Sequence, residues 1–234
     1  MSGSSGSSAL GPPHSAPESL VEGLLDPGVQ IEASAHDFGV ADLLPEEKPL
    51  VARAVESRQR EFATGRVLAR RLLRRSGRPD GPLLRDEDRV PIWPEGIVGS
   101  VTHCAGLCLV AIAPSRAQRG IGLDVEPDEA VKEGVARVVC RGEEHDWVNA
   151  AADIDAQRRR VKLIFSIKEA TYKAFYPELR TFWSFQDVGV RVDLEAGRFV
   201  AELPDGPDVR TVEGRVARRG GYIISSVCRG KESK

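Results

Sequence analysis

The 234-residue chain has little of what builds metal cages, stacking surfaces or membrane spans. Its four cysteines, Cys104, Cys108, Cys140 and Cys228, do not form two close pairs. That spacing argues against a zinc site or a disulfide framework and leaves reduced, mostly buried thiols as the expectation. Aromatics make up only 6% and do not alternate with the basic residues as a stacking surface for nucleic acid would require. The longest strongly apolar run, LCLVAIA at 107–113, stops at Pro114, far short of the roughly 20 residues that cross a bilayer. No GxxxxGK[ST] loop occurs, which weakens any nucleoside-triphosphatase reading. No lysine or arginine precedes Lys48, so a basic leader is not expected either. The expectation is a cytoplasmic monomer with neither a membrane nor a nucleic acid as partner.

What is present is charge of both signs, segregated. The formal net charge is −2. Between Arg53 and Arg89, however, eleven arginines stand against six acids, and from Gly120 to Asp155 ten acids stand against three basic residues. Such a pairing suits a site that holds a polyanion together with a cation, and it equally suits two solvated faces.

The opening MSGSSGSSALGPPHSAPES cannot bury a core, so residues 1–19 are expected to be a disordered or tag-derived tail. Loosely packed structure is expected from Leu20 to Leu44. From Pro45 the pattern turns helical, with Leu50, Ala54, Phe62, Leu68, Leu72 and Leu73 recurring every three or four residues until Gly77 and Pro79. Three short strands follow, near 96–102, 107–113 and 120–126, the first two joined by a tight turn at HCAG. A loop with a short helix covers 128–150, and a longer helix runs from about Gln157 to Phe175. Strands near 184–194, 197–203 and 209–227 close the chain, the last broken at Arg219–Gly221. Helix then antiparallel strands, twice over, predicts an α+β fold of two similar halves, 20–120 and 121–234.

Four stretches carry chemistry. In GLDVE, Asp124 and Glu126 share one face of a strand while Leu123 and Val125 turn to the other. Two carboxylates side by side suit Mg²⁺, although a solvated strand end would look the same. In FSIKEATYKAF, Glu169 and Lys173 lie four apart on a helix, Lys168 sits about 100° round from Glu169, and Phe165, Tyr172 and Phe175 imply packing. In SRQREFATGRVLARRLL, Arg58, Arg66 and Arg70 form a basic stripe, and arginine forks bind phosphate oxygens bidentately. In WPEGIVGSVTHC, the small residues Gly99 and Ser100 leave amides approachable, and His103 ends the strand. A lone histidine serves structure as readily as function.

Read as RQREFATGR, WPEGIVGSVTH, GLDVE and FSIKEATYK, these stretches in this order resemble the Sfp-type 4′-phosphopantetheinyl transferases. The likeness is greatest to the bacterial subgroup that activates siderophore and polyketide synthases. The match spans roughly residues 45–190. The resemblance implies a pseudo-dimer of two helix-plus-antiparallel-sheet halves with the active site at their junction. It also implies transfer of the phosphopantetheine arm of coenzyme A to a serine of an acyl or peptidyl carrier protein, releasing 3′,5′-ADP. The carriers would belong to fatty acid, polyketide or nonribosomal peptide synthases.

By the same resemblance, Asp124, Glu126 and Glu169 match Mg²⁺ ligands. Lys168 and Lys173 match contacts to the diphosphate. Arg58, Arg66, Arg85 and His103, with Ser100 and Thr102 beside them, match the grip on the phosphates of coenzyme A as cosubstrate. Glu169, or a metal-bound water it orients, is the candidate base, with Lys173 beside it in the catalytic helix and Glu143 or Glu144 as runner-up. The 128–155 segment is expected to shape carrier docking. The alternative reading is another Mg²⁺-dependent enzyme processing coenzyme A or nucleotide phosphates, such as a hydrolase.

Overall fold

The computed structural model describes residues 17–230 apart from Asp205 and Pro207. Most of the expected tail, residues 1–16, lies outside the described residues; Pro17–Val21 forms a short 3-10 turn.

The first sheet has three antiparallel strands, β1 (Gln30–Ser34), β2 (Ile97–Cys104) and β3 (Leu107–Pro114), in the order β1-β3-β2. The central β3 is buried along almost its whole length, which is why it reads as an unbroken apolar run rather than an alternation. Helix α1 (Glu56–Arg75) lays Leu68, Ala69, Leu72 and Leu73 on Val110 and Ile112 of β3. Glu56 in its first turn and Arg74 and Arg75 in its last complement the helix dipole.

The second sheet has five antiparallel strands. They are β4 (Gln118–Pro127), β5 (Gly189–Asp193), β6 (Arg198–Glu202), β7 (Thr211–Arg219) and β8 (Tyr222–Gly230), in the order β4-β8-β7-β6-β5. Short helices α2 (Val135–Val139) and α3 (Glu143–Asn149) precede the long α4 (Ile154–Leu179), whose start is capped by Asp153 accepting from the Ala156 amide at 2.8 Å. Leu163, Ile167, Ala174 and Phe175 of α4 pack on Val190, Phe199, Ala201 and Val216 of the sheet.

Two expectations are corrected. The segment from Leu20 to Leu44 is not loose: it supplies β1, and Leu20, Val21 and Leu24 are buried against Leu123, Val125 and Ile224. The helix begins at Glu56, not Pro45, because residues 45–55 form tight turns around Pro49 that leave Val55 extended. The strand expected at 120–126 pairs with β8 in the second sheet, and β1 takes the third place in the first.

The two sheets meet at edge strands β2 and β4, and side chains do the joining. Ser100 Oγ accepts from the Leu123 amide at 3.1 Å and Thr102 Oγ1 from the Val125 amide at 3.2 Å. Two hydroxyls of the first half thus satisfy amides on the outer edge of the second, which would otherwise be buried unpaired. On the other face of β4, the backbone of α4 comes in close. A Cβ at Gly122 would stand 1.7 Å from the Ala170 carbonyl oxygen, and one at Gly120 would stand 2.2 Å from that of Ala174. Only glycine permits that approach.

Candidate active site

A cleft of about 520 Å³ opens where α1, β2, β4, α4 and the turn around residues 85–91 converge. Ten of the expected residues line it: Arg58, Arg66, Arg85, Ser100, Thr102, His103, Asp124, Glu126, Glu169 and Lys173. The glycines of β4 explain the neighbourhood. They bring α4 down onto the strand, so that Asp124 and Glu126, on the same face two and four residues further on, emerge beside Glu169 and Lys173.

The basic wall comes from α1 and β2. Arg66 is 5% exposed, its Cζ lies 4.1 Å from the centre of the Phe62 ring, and its Nε is buried without a hydrogen-bond partner among the described residues. Burial first, and then the cations Arg85, Arg58 and Arg70, lower its guanidinium to about 10, against the pull of Glu47. A buried cation left short of partners in a cleft is chemically suited to an anion. Arg58 Nη1 lies 2.5 Å from His103 Nε2, and Glu61 closes the triangle at 3.1 Å from Arg58 and 2.8 Å from His103. Arg85 donates to the Leu50 carbonyl at 2.8 Å. Arg70 leaves the expected stripe: it is buried on Glu47 at 2.5 Å and on the Asp42 carbonyl, serving the packing of residues 42–47.

The acidic wall comes from β4 and α4. Asp124, 3% exposed, receives Lys173 Nζ at 2.6 Å and the Thr102 hydroxyl at 3.3 Å on Oδ1. Its Oδ2 is buried with no partner among the described residues. Glu126 holds Lys162 at 3.0 Å. Burial pushes the Glu169 carboxyl above its ordinary range, Lys173 pulls it back, and the charges of Asp124 and Glu126 push it up again. As these side chains stand, no three His, Cys, Asp or Glu among the described residues are clustered tightly enough to cage a metal ion. The donor set nevertheless fits one. Three carboxylates line one cleft, one buried oxygen lacks a partner, and two lysines occupy the compensating positions.

Lys168 is not in the cleft. Turned to the opposite side of α4, it is 2% exposed and donates to Glu144 Oε2 at 2.8 Å, the Val139 carbonyl at 2.8 Å and the Phe185 carbonyl at 2.7 Å. Burial lowers its ammonium pKa while Glu144 raises it. Its expected diphosphate contact is therefore corrected to a structural knot. That knot also takes Glu144, whose Oε1 accepts from the Val190 amide at 2.7 Å, out of contention as a base. Glu143 lines a separate hollow with Arg141 and Arg191. The four cysteines are free thiols with pKa values pushed up by burial.

The sequence reading missed several cleft residues: Glu61, Arg89, Trp93, Tyr172 and Tyr176. Glu61 was legible, since it falls one turn from Arg58 on the same helix face.

Comparison with known proteins decides the family. Residues 46–113 match the model of the 4′-phosphopantetheinyl transferase N-terminal domain, and residues 120–227 match that of the 4′-phosphopantetheinyl transferase superfamily. The 4′-phosphopantetheinyl transferase Svp of Streptomyces mobaraensis is 40% identical over 202 residues, covering 82% of this chain and 81% of Svp. PptT of Mycobacterium tuberculosis is 33% identical over 194 residues, covering 79% and 85%. This chain belongs to the 4′-phosphopantetheinyl transferase superfamily. The transferase moves phosphopantetheine from coenzyme A to carrier proteins, in a family that is generally metal-dependent. That sets aside the hydrolase alternative. Enterobactin synthase component D of Salmonella typhimurium is a more distant relative, 32% identical over 149 residues and covering 62% of this chain and 60% of its own. The transferase is an α+β protein of two halves, and none of its described helices is long and apolar enough to cross a membrane.

Proposed function

We propose that the cleft binds coenzyme A with its phosphates on the Arg58, Arg66, Arg85 and His103 wall and its diphosphate toward Asp124, Glu126, Glu169 and Lys173. The observation that carries this reading is the pairing, across one seam, of a cation-rich wall holding an under-partnered Arg66 with an acid-rich wall holding an under-partnered Asp124. Asp124, Glu126 and Glu169 would hold Mg²⁺ once Asp124 shares its charge with the ion as well as Lys173 and Glu126 turns from Lys162. When bound there, Mg²⁺ supplies charge neutralisation for the diphosphate and the leaving oxygen.

The chain's own residues do the rest. Lys173 is a second cation for the diphosphate, held on the site by Asp124. Ser100 and Thr102 hold the strand edge that carries the acids. Glu169 accepts the proton of the carrier serine as its Oγ forms a bond to phosphorus, the bridging P–O bond breaks and 3′,5′-ADP departs. Burial raises its pKa, which strengthens it as a proton acceptor. Transfer of this type asks the protein for positioning and charge, which is what the two walls offer.

The reading extends to acyl or peptidyl carrier domains of fatty acid, polyketide or nonribosomal peptide synthases as partners, to action as a cytoplasmic monomer, and to docking shaped by residues 128–155. We draw the two halves at 20–120 and 121–234, near the turn at 115–117 that separates the sheets.

The test incubates the protein with coenzyme A, Mg²⁺ and an apo-carrier and follows carrier mass. The mass gain of the pantetheine arm should appear, should vanish with chelator, and should vanish in Glu169→Gln while coenzyme A still binds. Near-wild-type transfer in that variant removes Glu169 from the mechanism.

A further inference from the structure

The mouth of the cleft is bridged by a contact between the two halves. Residues 86–90 form a tight turn: the Asp86 amide donates to the Val90 carbonyl at 3.0 Å, the Val90 amide to Asp86 Oδ1 at 2.9 Å, and the Arg89 amide to the Asp86 carbonyl at 3.0 Å. From the other half, Arg180, the first residue beyond α4, places Nη1 2.5 Å from Asp86 Oδ2 and 3.4 Å from Asp88 Oδ2. Its guanidinium also sits 5.8 Å from the ring of Tyr176, which stacks on Tyr172, and both tyrosines line the cleft.

Backbone conformation singles this contact out. Among the described residues only two that are not glycine have a left-handed backbone, Arg89 at φ 68° and Arg180 at φ 53°. That conformation is disfavoured for a long side chain, and such strain persists where surrounding structure enforces it. One strained residue, Arg180, grips Asp86 and Asp88, and the other, Arg89, follows them in the same turn. Arg89 itself lines the cleft, is exposed, and makes no side-chain hydrogen bond or ion pair among the described residues. Asp86, Glu87 and Asp88 would repel an anion at this mouth, and Arg180 offsets two of the three.

We propose that Asp86 and Asp88 with Arg180 form a clasp that holds Arg89 over the cleft as a further cation for the phosphates of coenzyme A. Asp86, Asp88 and Arg180 are then positioning residues. The clasp rests on coenzyme A being the occupant of the cleft, as proposed above. Because exposed ion pairs are individually weak, the clasp opens readily for exchange of coenzyme A and 3′,5′-ADP.

The test is calorimetric titration of coenzyme A onto the full chain. Arg89→Ala should weaken binding about tenfold, the worth of one charge-assisted hydrogen bond, and should raise KM for coenzyme A more than it lowers kcat. Arg180→Ala should weaken binding less, Arg180→Lys should restore part of the loss, and the double variant should bind no worse than Arg89→Ala. Arg89→Asn tolerates the left-handed backbone, so it should keep or raise Tm while losing affinity. Binding by Arg89→Ala within about twofold of wild type, or additive losses in the double variant, would overturn the clasp. A wild-type chain that binds no coenzyme A overturns both readings. One that loses binding in Arg58→Ala but not in Arg89→Ala overturns the clasp alone.

Discussion

Lys173 of α4 stands 2.6 Å from Asp124 of β4, and this pair ties the helix bearing Glu169 to the strand that forms the seam. Asp124 is buried, so its charge needs a partner whenever no other cation is present. Lys173→Met should destabilise the protein by about 1–3 kcal/mol, the cost of leaving a buried polar group without its partner. Adding Asp124→Asn should return most of that loss in urea denaturation while transfer stays absent. If the double variant is as unstable as the single, the pair is not the source of the cost.

Glu169 carries a raised pKa, caused first by burial. For a carboxyl the sign is unusual. The folded state holds the proton more tightly than the unfolded one, so stability is present at low pH and is lost as pH rises through the folded pKa. Above the folded pKa the ionised carboxylate is therefore a burden on the fold. Glu169→Gln should raise Tm at pH 7, with the advantage shrinking toward pH 4, even as it abolishes transfer. Thermal scans at both pH values decide it; a lower Tm at pH 7 contradicts the prediction.

Lys168 should behave as a stability residue, not a substrate contact. Lys168→Met leaves Glu144 buried without its counter-charge and should cost about 3 kcal/mol or more. Lys168→Met with Glu144→Gln should recover much of it. Where folded, Lys168→Met should bind coenzyme A as wild type does. A calorimetric loss of affinity at unchanged stability would return Lys168 to the phosphate site.

Gly122→Ala forces a methyl into the Ala170 carbonyl. Overpacking of this kind costs about 3 kcal/mol and pushes α4 off β4. Transfer should fall together with stability, and adding Mg²⁺ in excess should not rescue it. Gly77→Ala, in open space at φ 70°, is the comparison: its cost should be confined to backbone strain and should spare transfer.

Much of this was legible in the sequence. The hairpin at 104–107, the long second helix and the break at Gly220–Gly221 follow from periodicity and turn residues, because those signals are local. Most of the motif residues converge on one cleft because they lie on a helix or strand whose face was readable; Arg85 reaches it from a turn. The partners of edge strands were not legible. That β4 joins β8, and that QIEAS at 30–34 becomes β1, depends on pairings as distant as Gln30 with Ile112 and Gln118 with Gly230, which leave no local trace. Lys168 misled for a related reason. Its angle round the helix was clear, but Glu144, the Val139 carbonyl and the Phe185 carbonyl that claim it come from three distant places.

The contact of Gly120 and Gly122 with the Ala170 and Ala174 carbonyls is one of main chain against main chain. The gap between the acids on β4 and the Glu169–Lys173 turn on α4 is thus gauged by peptide thickness at this point, while Leu163, Ile167 and Phe175 press the helix home. A backbone-to-backbone stop of this kind sets a lower limit on the spacing that no change of side-chain rotamer can alter.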